Sequence, residues 1–245
     1  MANWVVHSLI KGIRSEPGFE RGQPPPAGAT PGRPLSQALA KVDAKRLAAL
    51  CPSGAITAGE AGMEVEFTHC VQCQRCRQNP GDPVWRDDVR WGAWRGVAAP
   101  LAGRFRRSLH VRYLDAGACG ACMGEVRLID APPYNLHRYG IFITATPRDA
   151  DVLLVAGPVS EAMRLPLRKA YEAMPEPKRV VAMGVCAIDG GVFGRSFATV
   201  GGVNEVLPVD LVIAGCPPPP LAIVHGLLLV AGRLPAAADG EGPGS

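Results

Sequence analysis

The sequence predicts an α/β protein in which a parallel β-sheet, covered by helices on both faces, follows a smaller α+β segment. From Ser108 onward, short apolar segments alternate with longer helix-like segments, which is typical of a parallel sheet. The chain has 245 residues, of which 47% are hydrophobic, enough for one sizeable domain and a small second one.

The alternating region contains five predicted strands and three predicted helices. The strands cover residues 109–114, 139–145, 151–156, 179–185 and 210–214. The helices cover approximately residues 123–130, 160–174 and 219–231. Because parallel strands share one carboxyl edge, where such sheets place their ligands, we expect the functional residues in the loops at that edge.

The charge and the cysteine content of the chain argue against nucleic-acid binding and in favour of metal binding. The net charge of +4 is small and the basic residues are spread along the chain, so nucleic acid is not implied. Eight clustered cysteines, without a cleavable apolar leader in residues 1–10, indicate metal ligation in a reducing compartment, and we expect a cytoplasmic protein. The longest apolar run, residues 221–232, is shorter than the roughly 18 to 20 residues that span a bilayer, so we expect any membrane attachment to run through a partner.

The two ends of the chain are expected to lie outside the packed domains. Residues 1–21 are predicted to form an amphipathic arm, with Trp4, Leu9 and Ile13 near one face of a short helix. This arm either packs on its own chain or lies on a partner subunit or a membrane interface. Residues 22–35 are a proline-rich linker, and residues 235–245 are a predicted disordered tail.

Residues 36–82 are predicted to form the small α+β domain. A helix over residues 36–50, with Ser36 as a possible N-cap, runs into Cys51-Pro52, and a hairpin-like segment covers residues 59–67. The motif C-x2-C-x2-C then supplies Cys70, Cys73 and Cys76. Three thiolates at this spacing can bind one iron–sulfur cube whose fourth ligand comes from a distant Cys-Pro pair, and Cys51 is placed for that role.

This segment resembles the bacterial eight-iron ferredoxin family, with one departure. The ligands of the second cluster in that family would fall at Lys41, Ala44, Leu47 and near Pro80, and none of these is cysteine. The resemblance therefore implies a single-cluster ferredoxin-like domain, whose 4Fe-4S cluster is held by Cys51 and the three cysteines of the motif. The alternative is a structural zinc site, because four thiolates also satisfy zinc.

Residues 83–107 form a connector in which Trp85, Trp91 and Trp94 lie among six arginines. We expect the indoles to cover a domain boundary while the arginine side chains extend to solvent. An aromatic and basic platform for nucleic acid is the alternative, and a contact with a partner protein is also compatible with this composition.

A second group of cysteines falls at the predicted carboxyl edge of the sheet. Cys119 and Cys122 follow the first predicted strand, Cys186 ends the fourth, and Cys216 follows the fifth. We therefore expect these four thiolates to lie together and to hold one metal centre. The alternative is that Cys186 and Cys216 are ordinary buried thiols.

Residues from about 108 to 234 resemble the small-subunit family shared by energy-converting nickel–iron hydrogenases, formate hydrogenlyase and the cluster-bearing B subunit of respiratory complex I. The resemblance rests on the stretches D-A-G-A-C-G-A-C-M-G-E, Y-N-L-H-R-Y-G-I, D-V-L-L-V-A-G-P-V, V-C-A-I-D-G-G-V-F-G, G-G-V-N-E-V-L-P-V-D and A-G-C-P-P-P-P. It implies a flavodoxin-like fold that abuts a larger catalytic subunit and carries one 4Fe-4S cluster, held by Cys119, Cys122, Cys186 and Cys216. The C-x2-C spacing resembles the hydrogenase branch, since complex I proteins have adjacent cysteines there. The family also places an acidic residue after this pair, so Glu125 is a candidate proton relay, with a helix first-turn carboxylate as the alternative.

Together these features predict the electron-transfer small subunit of a membrane-associated, hydrogenase-like or complex I-like oxidoreductase. Two 4Fe-4S clusters would relay electrons to or from a large catalytic subunit, with other electron-transfer and membrane subunits as further partners. The chain is not expected to be catalytic alone, since it has no evident nickel site, flavin site or nucleotide fingerprint. We expect it on the inner face of the cell membrane, attached through partner subunits. The alternative is a zinc-stabilised scaffold or interaction protein without redox activity.

Overall fold

The computed structural model describes residues 28–78, 85–96, 99–132 and 134–234. The predicted N-terminal arm and the predicted C-terminal tail lie outside the described residues, as do residues 22–27 of the proline-rich linker.

The N-terminal part of the described chain is a small α+β unit. Its elements are Arg33–Pro34 (β1), Lys41–Leu50 (α1), Ile56–Ala58 (β2), Met63–Val65 (β3) and Trp85–Arg86 (β4). β2 and β3 form an antiparallel hairpin, and β1 pairs antiparallel with β4. Ala44 and Leu47 of α1 pack on apolar residues of the hairpin, which gives this unit a core of its own.

Helix α1 begins five residues later than predicted, and the prediction of Ser36 as its N-cap is wrong. The Ser36 hydroxyl accepts a hydrogen bond from the Val65 N–H at 2.9 Å, and Gln37 bridges to Met63. The segment before the helix is therefore engaged with the hairpin. The helix begins at Lys41, after Ala40, without a side-chain cap.

The main sheet has six strands, and the structure confirms the predicted α/β class. The strands are Gly92–Trp94 (β5), Leu109–Asp115 (β6), Ile141–Ile143 (β7), Val152–Ala156 (β8), Arg179–Met183 (β9) and Leu211–Ile213 (β10). Their spatial order is β5-β10-β9-β8-β6-β7, with β6 to β10 parallel and β5 antiparallel to β10. Numbered along the chain, the parallel strands lie in the order 2-1-3-4-5, which is the flavodoxin-like arrangement.

Among the described residues, four helices pack with the sheet. They are Ala121–Leu128 (α2), Glu161–Glu172 (α3), Val185–Asp189 (α4) and Pro220–Val230 (α5). α5 packs on β5 and β10 and contacts α2, whereas α4 packs on β8 and β9. Every residue of β8 is buried, as is typical of a parallel strand covered on both faces. Within the described ranges, no helix has the length and apolar content needed to cross a bilayer.

Two elements of this region are not predicted by the sequence. β5 comes from the Trp/Arg connector and joins the edge of the main sheet, and α4 begins two residues after β9 ends. Both are short, so neither shows a clear periodicity. The predicted strand at residues 139–145 is also shorter than expected, because Leu136–Tyr139 forms a 3-10 turn before β7.

Candidate metal centres

The four cysteines of the N-terminal unit line one cavity. Cys51 ends α1, Cys70 ends the 3-10 turn Phe67–His69, and Cys73 and Cys76 follow on the next loop. All four are free thiols. We call them the first cysteine group. The structure therefore brings together the C-x2-C-x2-C motif and the distant Cys-Pro pair.

Burial and mutual proximity make the thiols of the first group difficult to ionise together. Burial, with smaller contributions from the neighbouring Cys76, Cys51 and Cys73, raises the pKa of Cys70 to about 12. Burial also raises the pKa of Cys76, to which Cys73 and Cys51 add. Four thiolates in this cavity would need a positive centre between them, and a metal cluster supplies such a centre.

The second cysteine group lies at the carboxyl edge of the main sheet. Cys119 lies in the loop after β6, Cys122 is in the first turn of α2, Cys186 is in α4 directly after β9, and Cys216 follows β10. β6 and β9 both pair with β8, and β9 pairs with β10, so these loops emerge on one side of the sheet.

The thiols of the second group also perturb one another. Burial, together with smaller contributions from Cys216, Cys186 and Cys119, raises the pKa of Cys122 to about 12. Burial, with smaller contributions from Cys216 and Cys119, raises the pKa of Cys186 to about 11. In both groups, the thiols that shift the pKa of a cysteine come from its own group.

Two glycines permit the close packing of the second group. A Cβ on Gly184 would lie 2.9 Å from the Cys122 Sγ, and a Cβ on Gly191 would lie 3.1 Å from the Cys186 Sγ. Gly184 also has φ 85° and ψ 152°, a backbone conformation that is essentially restricted to glycine. The sulfur atoms therefore lie against bare backbone at these positions.

Each group also has a buried aromatic donor beside it. The buried Trp85 Nε1 has no nitrogen or oxygen acceptor among the described residues, and its N–H faces Cys76, where it acts to lower the thiol pKa. The buried Tyr113 hydroxyl likewise has no hydrogen-bond partner in the described part of the chain. Burial raises the pKa of Tyr113, and Asp115, Cys122 and Cys119 raise it further, which places the ring near the second group. Such donors are typical of the shell around a cluster, where they hydrogen bond to sulfur.

The donor sets fit two 4Fe-4S clusters. Each group supplies four cysteines, which is the ligand set of such a cluster. Across the described ranges, no three or more His, Cys, Asp or Glu side chains converge closely enough to hold a single metal ion. Ligands of a four-iron cube bind different irons, so they stand farther apart than the ligands of one ion.

The N-terminal unit packs directly against the sheet edge that carries the second group. The rings of Phe67 and Trp91 meet edge to face with centroids 5.1 Å apart, and the His69 Nε2 lies 2.7 Å from the Asp189 Oδ2 at the end of α4. Trp91 is fully buried, so it offers no face on which a nucleic-acid base could stack. Phe67 and Cys70 belong to the same apolar core as the main sheet.

Glu125 lies on α2, three residues after Cys122, and is half-buried. Burial raises its pKa, and its carboxylate has no hydrogen-bond or ion-pair partner among the described residues. A carboxyl in this state exchanges a proton closer to neutral pH than an exposed one does. Its role as a proton relay stays a prediction.

Three residues beside the cysteines are not predicted as functional from the sequence. Trp85 is placed there only as part of the connector, and Tyr113 only as part of a strand. Gln72 lies within the C-x2-C-x2-C motif, yet its spacing gives no signal of what its side chain contacts. The contact of Gln72 depends on Cys216, a residue distant in the chain.

The family to which the sequence is similar matches the part of the chain that carries the second cysteine group. Residues 119–230 match the family model described as NADH ubiquinone oxidoreductase, 20 Kd subunit. This range contains the whole second cysteine group and none of the first.

Three curated relatives illustrate the similarity. The chain is 47% identical over 126 residues to an uncharacterized protein of Methanocaldococcus jannaschii, covering 51% of this chain and 84% of that protein. It is 36% identical over 148 residues to formate hydrogenlyase subunit 7 of Escherichia coli, covering 60% of this chain and 58% of the relative. It is 38% identical over 145 residues to the probable membrane-bound hydrogenase subunit mbhJ of Pyrococcus furiosus, covering 59% of this chain and 87% of the relative.

These similarities confirm the family that the sequence motifs indicate. The relatives with assigned names are subunits of oxidoreductase complexes, and the chain spans most of the length of two of the three relatives. The chain belongs to the NADH ubiquinone oxidoreductase 20 Kd subunit family.

Proposed function

We propose that the chain is the electron-transfer small subunit of a membrane-associated, hydrogenase-like or complex I-like oxidoreductase, and that it relays electrons through two 4Fe-4S clusters. The first cysteine group holds one cluster and the second group holds the other. The observation that carries this proposal is the sorting of eight free cysteines into two groups, within each of which the thiols perturb one another. When bound, such a cluster takes up or releases one electron at a time.

The residues of the chain supply ligation, hydrogen bonds and insulation. The cysteines would bind iron, while the buried Trp85 N–H and Tyr113 O–H, which have no nitrogen or oxygen partner among the described residues, would donate hydrogen bonds to cluster sulfur. The buried rings of Phe67 and Trp91 fill the space between the N-terminal unit and the sheet and keep water out of it. Hydrogen bonding to sulfur and exclusion of water are two of the means by which a protein sets the potential of a cluster.

We place the terminal chemistry in a large catalytic subunit that covers the carboxyl edge of the sheet. The names of the relatives, formate hydrogenlyase and membrane-bound hydrogenase, favour a hydrogen-linked reaction, as does the C-x2-C spacing of Cys119 and Cys122. Glu125 would relay protons at this interface. The ferredoxin-like unit would exchange electrons with a further electron-transfer partner, and membrane subunits would hold the assembly at the inner, cytoplasmic face of the cell membrane.

Anaerobic purification of the full chain tests the proposal. We expect brown protein with about eight irons and eight acid-labile sulfides per chain, because each ligand set holds one four-iron cluster. Reduction should produce two paramagnetic centres in electron paramagnetic resonance (EPR) spectra. Colourless protein that binds zinc with high affinity and gains no iron on reconstitution would support the scaffold alternative instead.

A further inference from the structure

Gln72 connects the two cysteine groups. It lies between Cys70 and Cys73 with φ 53°, and its side-chain Oε1 accepts a hydrogen bond from the Cys216 N–H at 3.2 Å. Its Nε2 donates to the Gly32 carbonyl at 3.4 Å. Both the oxygen and the nitrogen of the Gln72 amide therefore form hydrogen bonds. The bond to Cys216 joins residues that are 144 positions apart in the chain.

The Gln72 side chain is partly buried between the two cysteine groups. Among the described residues, it is the hydrogen bond that joins the C-x2-C-x2-C loop directly to a cysteine of the second group. Gln72 is partly buried and lines the cavity of the first group. The Phe67–Trp91 and His69–Asp189 contacts dock the residues just before this loop on the main domain, so the amide lies beside two further contacts between the two units.

We propose that Gln72 is a positioning residue that fixes the distance and the electronic contact between the two clusters. This inference rests on the proposed function, since it requires both clusters to be present. The connection runs from the Cys70–Cys73 loop through the Gln72 side chain to the backbone of Cys216. A transfer along it moves one electron from the reduced centre to the oxidised one, and no bond or proton changes place.

The amide also determines where the Cys216 N–H points. A backbone N–H that donates to Gln72 is not available to cluster sulfur, and hydrogen bonds to sulfur are among the factors that set the potential. Replacing Gln72 by Leu releases this N–H and removes the connection, whereas Gln72→Glu keeps the acceptor and adds a negative charge beside both groups.

Gln74 offers a matched control within the same motif. It has the same side chain and a similar positive φ of 59°, but it is exposed, and it has no side-chain hydrogen bond among the described residues. Gln74→Leu therefore reproduces the backbone strain and the polarity change of Gln72→Leu without breaking the connection.

The experiment uses the anaerobically purified full chain and its Gln72→Leu, Gln74→Leu and Gln72→Glu variants. Iron content is measured first, and fully reduced samples are then compared by EPR for the magnetic interaction between the two centres and by redox titration. We expect about eight irons in all four proteins. Gln72→Leu should weaken the magnetic interaction and raise the potential of the second cluster, Gln74→Leu should leave the interaction unchanged, and Gln72→Glu should retain it while lowering the potential of the second cluster.

Two results would overturn this inference. One is an equal magnetic interaction in Gln72→Leu and Gln74→Leu, and the other is loss of a whole cluster in Gln72→Leu alone, which would make Gln72 a residue needed for ligation. Failure of the proposed function is distinguishable, because it appears as fewer than two clusters in the unmodified chain.

Discussion

Replacement of Gly184 by Ala should disrupt the second cysteine group while sparing the first. The new Cβ would lie 2.9 Å from the Cys122 Sγ and 3.5 Å from the Gly215 carbonyl oxygen. The backbone of Gly184, with φ 85° and ψ 152°, adds conformational strain for any residue with a side chain. We therefore expect loss of both stability and iron at the second site.

The structure sets the size of this effect. A residue with a side chain in this region of the φ/ψ map costs about 1–3 kcal/mol, and forced overpacking of a dense interior costs about another 1–3 kcal/mol. The sum, about 2–6 kcal/mol, corresponds to a fall in Tm of at least about 4 °C for a chain of this size. Gly194→Ala is the control: Gly194 has φ 58°, but a Cβ there would meet no atom within 4 Å. It should cost only about 1–2 kcal/mol.

The assay combines thermal unfolding with iron analysis and EPR of anaerobically prepared protein. Gly184→Ala should retain the centre of the first group and lose or distort that of the second, whereas Gly194→Ala should retain both. If Gly184→Ala unfolds with the Tm of the unmodified chain and keeps both centres intact, the close packing of Gly184 on Cys122 does not constrain the site.

Three further predictions follow from the described contacts. Asp88→Asn breaks a buried ion pair with Arg33, whose side chains are 6% and 4% exposed, and should lower the free energy of unfolding by about 3–5 kcal/mol at pH 7. Burial tends to raise the pKa of Asp88, but the Arg90 N–H and the charge of Arg33 lower it on balance. The stability that the Asp88 carboxylate contributes is therefore lost as pH falls below the ordinary carboxyl range. The urea midpoints of the unmodified chain and of Asp88→Asn should converge in acid. Trp85→Phe removes an N–H donor and should lower the potential of the first cluster alone in a redox titration; an equal shift of both potentials would argue against that contact. Glu125→Gln should keep both clusters but slow turnover of the assembled complex by about 100-fold, and unchanged turnover would assign Glu125 a structural role only.

The parallel sheet could be predicted from the sequence because its strands are defined by local composition. β8 and β9 consist almost entirely of buried apolar residues, and their observed limits lie within two residues of the predicted ones. The order of the strands places Cys119, Cys186 and Cys216 at one edge, as the alternation of strands and helices predicts. The spacing of the cysteines in these loops predicted that they bind a metal centre.

The remaining features depend on contacts between distant parts of the chain. Ser36 is a residue type that favours the N-cap position, yet its hydroxyl accepts a hydrogen bond from the Val65 N–H of the hairpin. Val42 of α1 is apolar, yet it is 79% exposed, because the hairpin covers the face of the helix that carries Ala44 and Leu47. The Gln72–Cys216 hydrogen bond likewise arises only when the N-terminal unit is docked on the sheet.

The central claim is that eight cysteines form two separate ligand sets of four. The measurement that tests it most directly is the iron content and EPR spectrum of Cys73→Ser and Cys119→Ser, each purified anaerobically as the full chain. Each variant should lose the centre of its own group and retain about four irons in the other. Loss of both centres from either variant, while the protein remains folded, would contradict the assignment of the two groups.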